Sequence, residues 1–402
     1  MPDISKRGQL IPHSPIRKLV PLAEDAVKRG CKVYRLNIGQ PDILTSPNAL
    51  EAIRNIGTKI IDYGHSAGNE SLRRKFTEFY GKIGVSLDYR DILVTTGGSE
   101  AITFSILSCL NAGDEIIVPE PFYANYLSFA IAADVKVVPV TSTIENGFAL
   151  PPISEFEKKI TSRTRAIIIC NPNNPTGYLY SWQELEQIRD LVIKHDLFFI
   201  CDEVYRELCY DGNAIKSAML LKGLDEHLIL IDSVSKRYSA TGLRVGVMAS
   251  RNHLVLDTAL KFGQARLCPP NIGQLAAEAA LDSPPEYNNY VFNEFLQRRN
   301  FMVKALNDMP GVFCPTPKGA FYAMVRLPVD DAEKFSMWML QEFEHQNQTV
   351  MLAPGSGFYT TPGLGKQEVR IAYVLNIDDL RNAMECLKKG LEEYPGRKVM
   401  RL

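Results

Sequence analysis

A chain of 402 residues is longer than one hydrophobic core usually serves, so two lobes are expected. With 46% hydrophobic and 23% charged residues it has the make-up of a water-soluble globular protein, and a net charge of −1 gives no electrostatic footing for nucleic acid or an anionic membrane. Eight scattered cysteines without a Cys-x-x-Cys pair, and six histidines without a His-x-x-x-His pair, argue against a metal centre and for a reducing compartment. The N-terminal residues lack the apolar centre of a signal peptide, and no run of about 18 apolar residues occurs, so a cytoplasmic location is expected.

The first helical pattern runs from Pro15 to Arg29, with Ile16, Leu19, Leu22, Ala23 and Ala26 on one face. Leu36 to Asp42 interrupts regular structure. Gly39 lets backbone approach a ligand, as it would in any ordinary turn, and Pro41 ends the segment. Residues 60–68 read as a polar, glycine-punctuated loop before a helix that starts near Glu70. Tyr63 in that loop is either a ligand-facing hydroxyl or a partly buried loop residue.

Asp91 to Thr96 is a strand candidate, and Gly97-Gly98-Ser99-Glu100 opens a helix through Leu110. Strand, glycine pair and helix present free N–H groups to an anion; the same residues also make a plain serine-capped turn. The pattern is neither the dinucleotide fingerprint nor a Walker A loop. The next strand, Glu115 to Pro119, leads into Phe122-Tyr123, where a ring at a strand's carboxyl end can stack on a planar ligand or fill the core.

Ala166 to Cys170 is a buried strand that ends in Asn171-Pro172-Asn173-Asn174-Pro175-Thr176-Gly177. Turn chemistry accounts for the prolines and glycine better than for three asparagines. Leu197 to Cys201 is another, followed at once by Asp202-Glu203-Val204-Tyr205. A carboxylate at the end of an apolar strand is costly unless it meets a cation.

Leu228 to Ile231 and Val245 to Ala249 bracket Ser233-Val234-Ser235-Lys236-Arg237-Tyr238 and Gly242-Leu243-Arg244. A lysine held between two buried strands loses hydration, which favours the neutral amine and makes Lys236 a candidate nucleophile. Pro284 to Leu306 reads as mainly helical and leads into a second αβ region. Within it, Glu368 to Val374 places Arg370 in an alternating apolar strand, either harmlessly at the surface or, if buried, as a fork for a carboxylate.

Each of these features lies at a strand end or in the loop that follows, and such ends line one crevice in an open α/β sheet. Together they offer an amine nucleophile, an anion cradle, an aromatic plate, an amide donor, a carboxylate and a carboxylate-binding arginine. All but the last are what pyridoxal 5′-phosphate requires, and the arginine suits an amino acid's carboxylate.

From about Pro15 onward, the chain resembles the class I/II aminotransferases of the fold type I pyridoxal phosphate enzymes, aspartate aminotransferase-like. The likeness is carried by Asn-Pro-Asn-Asn-Pro-Thr-Gly at 171–177, Asp-Glu-Val-Tyr at 202–205, Ser-x-Ser-Lys ending at 236, Gly-Leu-Arg-x-Gly at 242–246, and Arg370. The resemblance implies a large domain, residues 46–290, with a seven-stranded, mostly parallel sheet. It also implies a small α/β domain from residues 1–45 with 291–402, in a homodimer with shared active sites.

It further implies that Lys236 forms a Schiff base with the cofactor and moves a proton between substrate Cα and cofactor C4′. Asp202 would pair with the pyridine nitrogen, and Asn174 and Tyr205 would bond the phenolic oxygen. Tyr123 would stack on the ring. Gly98, Ser99, Glu100, Ser233, Ser235 and Arg244 would hold the phosphate, with Tyr63 of a neighbouring subunit. Arg370, Asn174 and the Gly39 backbone would hold the substrate carboxylate. Some acid-specific relatives place a lysine directly after the glycine pair; Ser99 stands there, leaving Arg17, Lys18 and Arg266 as basic residues that could take its role.

The expected activity is therefore transfer of an amino group between an L-amino acid and a 2-oxo acid, in ping-pong half-reactions. The same motifs would also serve a carbon–sulfur lyase or another enzyme that proceeds through a Cα carbanion. A ligand-sensing regulator would be expected to carry an added DNA-binding segment, and a nicotinamide dehydrogenase a Gly-x-Gly-x-x-Gly after a strand; neither is found.

Overall fold

The computed structural model describes residues 2–398. Twelve strands form three sheets: β1 Lys32–Arg35, β2 Ile92–Thr95, β3 Glu115–Glu120, β4 Lys136–Thr141, β5 Thr164–Cys170, β6 Phe198–Asp202, β7 Leu228–Ser233, β8 Gly246–Ala249, β9 Tyr322–Arg326, β10 Gln348–Met351, β11 Ala353–Pro354 and β12 Glu368–Ala372. The largest sheet has seven strands in the order β2-β8-β7-β6-β5-β3-β4. Only β8 runs against its neighbours; the remaining pairs are parallel. The apolar runs read from the sequence are its central strands, covered on both faces as a parallel sheet requires.

Parallel pairing needs crossovers, and helices Gly97–Cys109, Asn125–Ala132 and Trp182–His195 provide three of them. The crossovers bring the carboxyl ends of the strands to one edge. In register, Cys170 faces Asp202, Asp202 faces Ile231, and Ser233 faces Gly246. Segments separated by tens of residues thus end side by side. In the smaller sheets β1 pairs with β10, and β12 lies between β11 and β9. Helices Pro285–Asn307 and Ile377–Glu393 pack near them.

One expected element is shorter than its pattern. The helix anticipated over 15–29 begins only at Val20, with Pro21 in its first turn. In a helix begun at Pro15, the Pro21 ring would meet the carbonyl of Arg17 and leave it without a donor. Residues 15–19 instead make a tight turn, with the N–H groups of Arg17 and Lys18 bonded to the Ser14 carbonyl at 3.0 and 2.9 Å. Among the described residues no helix is long and apolar enough to cross a membrane.

Candidate active site

At the carboxyl edge of the large sheet lies a cavity of about 750 Å³. Lys236 reaches it from a four-residue helix, Val234–Arg237, set directly on the end of β7. Ser233 caps that helix: its Oγ accepts from the Ser235 N–H at 3.1 Å. The Ser233 hydroxyl also lies 2.8 Å from Ser235 Oγ and 2.9 Å from the Val245 carbonyl. Lys236 Nζ donates to the Gly39 carbonyl at 3.0 Å. Burial first, then the Arg370 and Arg244 cations, lower the Lys236 ammonium from its ordinary value to about 8. At neutral to mildly basic pH a sizeable fraction is therefore a neutral, nucleophilic amine.

Asp202 ends β6 in the same cavity and is buried. Its carboxylate accepts from Tyr126 Oη at 2.7 Å and from the Val204 N–H at 3.3 Å, yet no cation lies within 4.0 Å of it among the described residues. Burial raises its pKa to about 7, a rise that those two hydrogen bonds oppose. An uncompensated carboxylate in such a place is suited to a ligand that carries positive charge.

The turn after β5 contributes Asn174, whose Nδ2 lies 3.4 Å from Tyr205 Oη. Tyr205 in turn lies 3.1 Å from Tyr322 Oη. Arg370, fully buried on β12, donates to Asn174 Oδ1 at 3.0 Å and to the Asn37 carbonyl, while its Nε has no partner. Its guanidinium carbon sits 4.4 Å from the Tyr322 ring centre and 4.9 Å from that of Phe358. Clamped between two rings and bonded to Asn174 and the Asn37 carbonyl, the fork has a fixed orientation at the cavity.

Tyr123 also lines the cavity, its hydroxyl accepting from Asn125 Nδ2 at 2.8 Å. Gly98 and Ser99 stand in the first turn of the helix after β2 and line the cavity, as does Arg244, which ends the turn at 241–243. Arg244 donates to the Thr96 carbonyl at 3.4 Å and crosses Gly97 so closely that a Cβ on Gly97 would stand 2.4 Å from its Nη2. Gly246 is equally constrained, since a Cβ there would lie 2.4 Å from the Gly97 carbonyl carbon. The result is a helix N-terminus with an arginine beside it, a ready anion site.

Two of the sequence-selected residues do not line the cavity. Glu100 turns back to the Thr96 N–H at 2.7 Å and pairs with Arg266 at 3.2 Å. Tyr63 is 80% exposed on the protomer surface. Of the three basic residues, Lys18 is bound to Glu333 at 2.6 Å and Arg266 to Glu100, whereas Arg17 lines the cavity. Sequence reasoning missed Tyr126 and Tyr322. The only local signals were a tyrosine at the start of the helix after β3 and one opening β9 after Gly319-Ala320-Phe321.

Beneath the cavity a buried charge cluster joins β6 to β7. The Asp232 carboxylate accepts from Tyr80 Oη at 2.9 Å, from Arg237 at 3.0 Å and from Arg206. Arg206 also lies 3.4 Å from Glu203. Arg237, next to Lys236, therefore bonds Asp232 directly, and Glu203, next to Asp202, is linked to it through Arg206. No group of three His, Cys, Asp or Glu side chains suited to a metal occurs among the described residues.

The comparisons with known proteins agree with this layout. Residues 32–387 match the family model described as aminotransferase class I and II. The aromatic-amino-acid aminotransferase 2 of Thermococcus litoralis is 32% identical over 97% of this chain and 98% of its own length. The aspartate aminotransferase of Pyrococcus horikoshii is 31% identical over 97% of each chain. The alanine aminotransferase structure from Pyrococcus furiosus superposes with a TM-score of 0.89 at 32% identity, covering 97% of this chain and 100% of that one. A match of this extent, over a cavity that places a buried amine opposite an unpaired carboxylate, identifies the chain as a class I and II aminotransferase, an enzyme that transfers amino groups.

Proposed function

We propose that the cavity holds pyridoxal 5′-phosphate and that the enzyme uses it to carry an amino group from an L-amino acid to a 2-oxo acid. The donor set fits that group: a lysine lowered to about 8, a buried carboxylate with no cation, and an anion site at a helix N-terminus. The pairing of Lys236 with Asp202 in one buried cavity is the observation that carries the reading. Bound there, the cofactor supplies an aldehyde for amines and a conjugated ring that takes up the electron pair left at Cα.

The remaining work falls to the chain's own side chains. Lys236 Nζ would hold the aldehyde carbon and, when released, would carry the proton between Cα and C4′. Asp202 stabilises a protonated ring nitrogen, which offsets the cost of burying its own charge. Tyr205 and Asn174 would hydrogen-bond the phenolic oxygen, and Tyr123 would lie against the ring face. Gly98, Ser99, Ser233, Ser235 and Arg244 hold the phosphate, Glu100 contributing through its backbone. Arg370, Asn174 and the Gly39 backbone hold the substrate's α-carboxylate and so fix the orientation of the Cα–H bond.

The reading extends to a cytoplasmic homodimer in which Tyr63 reaches the partner's phosphate. The exposure of Ile60, Ile61 and Tyr63 on one stretch of loop supports that interface. Purified protein given the cofactor is expected to show a visible absorption band that Lys236→Ala lacks. Mixed with one amino acid and no acceptor, it should release one equivalent of oxo acid per site and stop. Continuous release of ammonia would indicate a lyase, and protein left colourless by the cofactor would refute the reading.

A further inference from the structure

Two segments far apart in the chain support opposite sides of the cavity. Residues 120–126 bring Tyr123 to it and supply Tyr126, the partner of Asp202. Residues 355–370 bring Arg370 to it and supply Phe358, the ring against which that guanidinium lies. Strand pairing does not fix one segment against the other, because β3 belongs to the seven-stranded sheet and β12 to the three-stranded one.

Glu120, buried at the end of β3, joins them. Like Asp202 it has no cation within 4.0 Å among the described residues. Unlike Asp202 it is well supplied with hydrogen bonds from the protein. Its Oε1 accepts from Thr141 Oγ1 on β4 at 2.7 Å. Its Oε2 accepts from the Thr360 N–H at 2.8 Å, the Thr361 N–H at 3.2 Å and Thr360 Oγ1 at 3.2 Å. Alongside, the Phe122 N–H donates to the Phe358 carbonyl at 3.0 Å. A small apolar cluster backs the junction, where Ala124, Ile144 and Phe148 pack with Met324, Ala353 and Phe358. From there to Arg370 the path is short and tight. Tyr359 Oη donates to Glu368 Oε2 at 2.6 Å, and a Cβ on Gly355 would stand 2.6 Å from the Glu368 carbonyl oxygen.

We infer that Glu120 is a positioning residue for the reaction. By gripping residues 360 and 361 it sets where the Arg370 fork stands relative to the Tyr123 ring, and so where a substrate's α-carboxylate is held relative to the cofactor. The inference rests on the roles proposed above for Arg370 and Tyr123. A carboxylate suits the task because its bonds to N–H donors are shorter and stronger than those of a neutral acceptor, the more so where water is excluded. Without it the 358–361 segment loses three bonds, whereas the residues assigned to the phosphate and the ring nitrogen keep theirs. The loss therefore falls on the substrate and not on the cofactor.

The test compares holoenzyme carrying Glu120→Ala or Glu120→Gln with the wild type. In Glu120→Ala, KM should rise about 10-fold for every amino donor alike, with the visible band and the Kd for cofactor unchanged. In a readout independent of turnover, titration with 2-methylalanine, which has no Cα–H to lose, should show the same rise in Kd through its effect on the visible band. Glu120→Gln keeps an oxygen for the Thr360 and Thr361 N–H groups, so its rise should be only about 2- to 3-fold. Should Glu120→Ala fail to fold, that smaller rise with an unchanged cofactor Kd carries the test. Substrate affinity at the wild-type level in both variants, or a loss of cofactor affinity equal to that of substrate, would overturn the assignment while leaving the aminotransferase reading intact. A wild-type protein that stays colourless with the cofactor would overturn the roles on which it rests.

Discussion

Asp202 gives the sharpest test of the site, because without the cofactor its charge has nothing to offset burial. Its pKa rises from an ordinary 3.8 to about 7, mainly through burial. At about 1.4 kcal/mol for each tenfold change in proton affinity, the ionised form costs the folded protein about 4 kcal/mol above pH 7. The folded state binds the proton more tightly than the unfolded chain, so stability falls as pH rises between 3.8 and about 7. Below 3.8 both states are protonated and the cost vanishes.

Asp202→Asn removes the charge while keeping the shape. Rearranging the bonds to Tyr126 and Val204 takes back about 1 kcal/mol, which leaves a net gain of about 3 kcal/mol at pH 8. Over a chain of 402 residues that corresponds to about 3–4 °C in the thermal midpoint. Cofactor-free Asp202→Asn is therefore expected to melt higher than the wild type at pH 8 and no higher at pH 4.5. With cofactor added the order should reverse, since only the carboxylate pairs with a ring cation. A variant that melts at or below the cofactor-free wild type at pH 8 would refute the claim that Asp202 is held ready for a cation.

Three further outcomes are expected. The rate of covalent capture of added cofactor should rise with pH to a plateau above about 8, following neutralisation of Lys236, as read by the growth of visible absorbance; a rate flat from pH 6 to 9 would contradict the lowered lysine. Arg370→Lys should raise KM for every amino donor about 10- to 100-fold, alanine included, because a point charge cannot reproduce the two-pronged grip on a carboxylate. Asp232→Ala should destabilise the protein by about 3–5 kcal/mol, read in its thermal midpoint, because it leaves two buried guanidinium groups facing each other.

The strand-end residues were legible in the sequence because a parallel sheet makes their placement nearly local. An apolar run followed by a polar turn puts that turn at the carboxyl edge wherever the strand pairs, which is how Asn174, Asp202 and Lys236 could be found one at a time. Gly98 and Ser99 followed from the same logic at a helix start. Pro21 also spoke locally, against a helix reaching back to Pro15, although the apolar spacing upstream concealed it.

Folding of distant segments onto that edge determined the rest. Tyr126 became the partner of Asp202 across 76 positions, and Tyr322 that of Tyr205 across 117. Neither contact leaves a periodicity or a motif in the chain. Among Arg17, Lys18 and Arg266, the sequence offered equal charges. Glu333 and Glu100 occupy two of them, and a turn pinned by Pro15 and Asn37 presents the third to the cavity. A residue type states what a side chain can do; which partner it meets depends on packing between elements far apart in the chain.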